Sequence, residues 1–286
     1  MISAVVLGCV LLNQTPTVPV GEPQVVDRWV ISDQSVNESS GLGASRSNAG
    51  DYYTHNDSGD TARFFRFNKK GEITGVFRLD GVKAIDWEDM EIAQIGGTSF
   101  IYLGDTGDNG RLREEIFVHR VKEPNSDSGN ELIKAETFTF KYPDRKNDCE
   151  ALIVEPRNGA IWLVTKARDQ KTSVYVCREP KPGSVQTLEK VVDDLKINTG
   201  GLGGNLVTAG SVSPDGKLVV LKTYAGGYIY SVKDRFESWV DSAPIPVQFP
   251  LEKQGEAVCF SSDGTFLISS SEGTPCSIQV FRVPGR

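Results

Sequence analysis

The sequence is poor in the residues on which several large function classes depend. It holds two histidines, His55 and His119, in different repeats, so a metal centre of two or three histidines is not expected. No run of lysine and arginine occurs, and the formal net charge is −7, so the basic stripe that displaces counterions from phosphate is missing. Nucleic acid is therefore excluded as an expected partner. The apolar stretch at residues 2–12 (ISAVVLGCVLL) is too short to span a bilayer. No Gly-x-Ser-x-Gly elbow supports a serine nucleophile, and long amphipathic helical patterns are absent. The cysteines, Cys9, Cys149, Cys177, Cys259 and Cys276, match no zinc or redox spacing. The last four read as small buried thiols, with a Cys259–Cys276 bridge as the alternative.

What is present reads as strands and turns. Hydrophobic residues make up 38% of the 286 and charged residues 24%, enough apolar material for a packed core. Glycine and proline punctuate short runs of Val, Ile, Phe, Tyr and Trp. Residues 2–12 fit the apolar segment of an export signal, so residues 1–21 read as signal and linker and 22–286 as one domain of a secreted or periplasmic protein. A lipid anchor at Cys9 is the lesser alternative.

Five segments share a pattern of polar, small or polar, apolar, any, apolar: 40–44 (SGLGA), 88–92 (EDMEI), 150–154 (EALIV), 208–212 (TAGSV) and 256–260 (EAVCF). A turn and a second strand follow each, at 51–55, 99–103, 160–164, 218–222 and 265–269. Two of the turns, 213–216 (SPDG) and 261–264 (SSDG), are near copies whose Asp-Gly pair favours a tight hairpin. Third strands are expected at 64–67, 116–119, 173–176, 228–231 and 278–281, and outer strands at 73–79, 136–141, 187–192 and 245–249. The fifth unit lacks an outer strand and the chain begins with an orphan one at 24–31, so pairing the two ends would close a ring. The predicted fold is an all-β, five-bladed β-propeller of four-stranded blades, expected as a monomer.

A propeller sets the first strand of each blade around a central channel, so Ser40, Glu88, Glu150, Thr208 and Glu256 should face one point. Three carboxylates so placed repel one another unless protonated or neutralised, and an all-oxygen set suits a hard cation, Ca²⁺ before Mg²⁺. The alternative is that these glutamates bond backbone N–H groups of neighbouring blades and hold no metal. The order hydroxyl, Glu, Glu, hydroxyl, Glu resembles the ring of the calcium-activated nucleotidases, five-bladed apyrases. That resemblance implies a central Ca²⁺ on these five residues. The segments 55–60 (HNDSGD), 86–89 (DWED) and 104–109 (GDTGDN) also resemble a group of exported bacterial propellers of undefined activity.

Asn56, Asp57, Asp60, Asp105, Asp108, Asn109, Lys166, Lys222, Tyr224 and Glu272 follow the second strands and are expected at the channel mouth. In a metal-assisted hydrolase of phosphate or other esters, Asp57 or Asp105 would orient or deprotonate water and Lys166 would offset developing charge. The mouth has more carboxylates than cations, unlike the nucleotidases, which argues against a nucleotide. Turn formation by the Asp, Asn, Ser and Gly of 57–60 and 105–110 is the plainer account of those segments. Trp87, Tyr224 and Tyr53 read first as packing between sheets, with a small molecule or glycan against them at the mouth as the alternative. A non-catalytic binding or scaffold propeller with structural calcium is the competing function.

Overall fold

The computed structural model describes residues 24–166, 171–249, 252 and 254–284. Residues 2–12 and Cys9 lie outside them. Five separate sheets form a ring of blades, the five-bladed β-propeller that the repeats predict. Blade 1 comprises Ser39–Ala44, Asp51–Asn56, Arg63–Asn68 and Ile73–Leu79, and blade 2 comprises Trp87–Ile95, Thr98–Asp105, Ile116–Lys122 and Glu136–Lys141. Blade 3 comprises Cys149–Val154, Ile161–Thr165, Thr172–Cys177 and Glu189–Leu195. Blade 4 follows as Val207–Val212, Leu218–Thr223, Gly226–Ser231 and Ile245–Val247, and blade 5 as Ala257–Phe260, Phe266–Ser270 and Cys276–Arg282. Blade 5 takes its outer strand from the other end of the chain: Val25–Ile31 runs antiparallel to Cys276–Arg282, with Trp29 opposite Ile278. The ring thus closes as expected.

Two blades carry a fifth strand that the repeats did not announce. Glu131–Ile133 pairs parallel to the outer strand of blade 1, and Val185–Thr187 parallel to that of blade 2. The outer strand of blade 3 accordingly lies at Glu189–Leu195 rather than 187–192. An open sheet edge offers unpaired N–H and C=O groups to any nearby extended segment, and apolar alternation does not encode which edge captures it.

Five apolar clusters form the core, each between two adjacent blades, as a closed ring requires. Trp162, Tyr230 and Trp239 fill the space between blades 3 and 4, where Trp239 and Phe236 come from a short 3₁₀ helix, Phe236–Asp241. Trp29, Tyr52 and Phe67 fill the space between blades 5 and 1. Burying each such ring contributes about 1.5–3 kcal/mol. The first strands of blades 1, 3 and 4 are buried throughout, and small residues let neighbouring first strands approach: a Cβ at Gly41 would stand 2.1 Å from His55 Nε2 and 2.8 Å from Met90 Cβ.

The near-copied turns fold alike. Gly216 and Gly264 take positive φ values of 69° and 72°, and their N–H groups donate to Ser213 O and Ser261 O. The serine hydroxyls bond Asp215 and Asp263, each at 2.6 Å. Cys149, Cys177, Cys259 and Cys276 are buried free thiols. Among the described residues, no helix is long and apolar enough to cross a membrane.

Candidate metal centre

The repeated polar position owes its orientation to a backbone irregularity. Register shifts separate Ser39 from Gly41, Trp87 from Asp89, Cys149 from Ala151 and Val207 from Ala209. Ser40, Glu88, Glu150 and Thr208 are therefore bulge residues, one per blade, and Glu256 directly precedes the first strand of blade 5. A bulge re-aims its side chain away from the pleat, here at the end of the channel where the first strands begin. Residues just past the second strands meet them there, as Asp57 N, Lys166 N and Glu272 N donate to the carbonyls of Glu38, Asp148 and Gln254.

Seven carboxylates converge at this mouth. Asp57, Asp86 and Glu88 bring oxygens within 4.8 Å of one another, and so do Asp57, Glu256 and Glu272, and Glu88, Asp148 and Glu150. Glu88, Asp148 and Glu150 are only 2–3% exposed. Among the described residues, Lys166 alone ion-pairs with a member of this set, donating to Glu150 Oε1 at 2.8 Å. It also donates to Tyr224 OH at 3.0 Å, and Tyr224 donates to Glu256 Oε1 at 2.5 Å.

The electrostatics follow from crowding with little counter-charge. Burial, then Glu150, Asp57, Asp86 and Asp148, raise Glu88 well above the usual carboxylate range. Burial, then the hydrogen bond and charge of Glu256, push Glu272 up to about 8. Burial likewise lifts Asp57 to about 6, resisted by the Ser58 N–H and reinforced by Asp86 and Glu256. Burial disfavours the Lys166 ammonium, but Glu150 and then Tyr224 outweigh it and hold the lysine protonated above its ordinary range.

The ring residues thus fall into two chemical kinds. Ser40 Oγ donates to Glu88 O at 2.5 Å and Thr208 Oγ1 to Gly255 O at 3.2 Å, each stitching one first strand to a neighbouring blade. Thr106 does the same toward Cys149 O at 2.8 Å. Glu88 and Glu150 meet in one cluster, whereas Glu256 meets Asp57 and Glu272.

Of the other residues expected at the mouth, Asp57, Lys166, Tyr224 and Glu272 are there, but Asp105 is not. Asp105 is fully buried, accepts N–H bonds from Ile85 and Asp86, and pairs with Arg113 at 2.8 Å. The position of blade 2 that matches Asp57 and Lys166 is the next residue, Thr106. Asp108 accepts the N–H groups of Leu112 and Arg113, and Asp60 holds Arg63 and Asn56, so both brace their own loops. Lys222 is buried against Glu252 at 3.1 Å. Trp87 and Tyr53 are 1% and 0% exposed and pack in the core between blades 1 and 2.

Asp86 and Asp148 were not singled out as candidates from the sequence. The signal is a repeated Asp-x-Glu, at 86–88 and 148–150, in consecutive blades. Below the ring, Asp89 and Glu91 were also missed. Asp89 accepts N–H bonds from Met90, Leu152 and Gly210, and Glu91 from Ile92 and Val212, so two carboxylates of blade 2 tie it to blades 3 and 4 across the channel. No protein-family model and no curated protein matches the chain.

Proposed function

We propose that this propeller binds a calcium ion at the mouth of its central channel and that the ion serves as the docking point for an oxygen-rich ligand. The observation that carries this reading is Glu88, a buried carboxylate set among four other carboxylates. Such charges persist only if protonated or matched by a cation. The donor set is all oxygen and irregular, which suits Ca²⁺ better than the strict octahedron of Mg²⁺. Asp86, Glu88, Asp148 and Glu150 would hold it, and the ion when bound would polarise a carbonyl or phosphoryl oxygen. The apolar run at 2–12 supports export, and extracellular calcium modules bind at roughly 10⁻⁴–10⁻³ M. Calorimetric titration of the metal-free protein tests this: the expected result is a saturable calcium isotherm with weaker magnesium binding, and no heat with either ion overturns it.

One observation favours a second reading, hydrolysis of a phosphate or other ester. Asp57, at the mouth with its carboxyl lifted to about 6, has the proton affinity of a general base near neutral pH. Lys166 would supply positive charge at the same mouth, already oriented by Glu150 and Tyr224. Turnover of an ester panel that requires calcium and disappears in Glu150→Gln is the expected result. Absence of turnover in the calcium-loaded protein removes the hydrolase and leaves a binding propeller.

A further inference from the structure

Lys166 divides the mouth into two unequal halves. On one side the ammonium bonds Glu150 and Tyr224, the Tyr224 hydroxyl bonds Glu256, and Glu256 in turn bonds Glu272. Those bonds join Glu256 and Glu272 to Lys166, with Asp57 beside them. On the other side Glu88, Asp148 and Glu150 bring three oxygens within 4.8 Å, and among the described residues no Lys or Arg ion-pairs with Glu88 or Asp148.

Asp148 gives the second, independent indication. It is 3% exposed; its Oδ1 accepts the Asp108 N–H at 2.8 Å, while its Oδ2 is buried without a hydrogen-bond partner among the described residues. A buried carboxylate oxygen with no donor is costly, and Asp148 belongs to the group that also holds Glu88 and Glu150. Gly107 packs directly against these carboxylates: a Cβ there would stand 2.0 Å from Glu88 Oε1 and 2.5 Å from Asp86 Oδ2. Glycine keeps that approach free of a side chain.

We propose that the divalent cation lies off the propeller axis, against blades 2 and 3, on Glu88, Asp148 and Glu150, with Lys166 ion-paired to Glu150 and linked to Glu256 only through Tyr224. This rests on the reading of the mouth as a cation site and fixes which residues hold the ion. Asp148 then acts as a ligand that the five-residue ring lacks, and Ser40, Thr208 and Glu256 are not ligands.

Calcium titration of the full metal-free chain, followed by calorimetry, tests the placement. Asp148→Asn and Glu88→Gln are each expected to weaken binding by at least about tenfold, and Glu256→Gln to leave it within about threefold of the unsubstituted protein. If Asp148→Asn loses the native circular dichroism spectrum, Glu88→Gln against Glu256→Gln decides. Glu256→Gln weakening binding as much as Glu88→Gln puts the ion on the axis and overturns the placement, while leaving a calcium site at the mouth. Equal affinity in all three variants moves the ion elsewhere and also overturns it. No binding by the unsubstituted protein overturns the cation site itself.

Discussion

Two halves of one channel use carboxylates of the same strand in opposite ways. Asp89 and Glu91, in the lower half, receive N–H bonds from blades 2, 3 and 4, so their oxygens are matched by fixed backbone dipoles. Glu88, one residue above Asp89, faces Glu150, Asp57, Asp86 and Asp148 instead. The difference teaches that burial alone does not mark a functional carboxylate. A buried acid whose acceptors are filled by the chain is part of the scaffold, and one surrounded by like charge must take up a proton or a cation.

Breaking the lower half gives the largest effect. Asp89→Ala leaves the N–H groups of Met90, Leu152 and Gly210 without their acceptor and is expected to cost about 3–5 kcal/mol, equally with calcium or chelator present. Denaturant unfolding in both conditions measures it, and a loss seen only with calcium would assign Asp89 to the ion instead.

Glu91 sharpens the comparison through pH. Burial, opposed first by Arg46, pushes its carboxyl up to about 7. A folded-state value above the ordinary 4.5 means that the folded protein binds the proton more tightly. Its contribution to stability is then full below about 4.5 and is lost as pH rises through about 7, by roughly 3 kcal/mol at most. Melting temperatures of the protein and Glu91→Gln, compared from pH 5 to 8, should show that difference narrowing toward the acidic end. A constant difference would mean that Glu91 does not titrate in this window.

The smallest effect is a gain. Glu88→Gln removes one charge from the upper cluster and is expected to stabilise the calcium-free protein by about 1–2 kcal/mol while removing most of its response to calcium. Destabilisation in chelator would show that the Glu88 carboxylate is held by the fold after all.

Much of this was legible before the fold was seen. The hairpin repeats and the orphan strand at 24–31 give five blades and their closure, because turn chemistry and strand alternation are local. The polar ring was legible as a repeated residue type at Ser40, Glu88, Glu150, Thr208 and Glu256. That four of these are bulge residues was not, since a bulge is a relation between two strands. The same limit explains Asp105, which lies one position away from the residue that faces the channel, and the capture of Val185–Thr187 by blade 2. Which of two adjacent acids, Glu88 or Asp89, meets backbone donors and which meets other acids depends on blades far apart in sequence.

The most direct test of the central claim is a thermal melt of the full protein in excess EDTA and after calcium is added back. A ligand that binds only the folded state stabilises it by about 4 kcal/mol at a thousandfold excess over Kd. The account predicts a large fall in melting temperature in EDTA, restored by calcium and nearly absent in Glu88→Gln. An identical melting temperature in EDTA and calcium would contradict it and leave the upper carboxylates neutral by protonation alone.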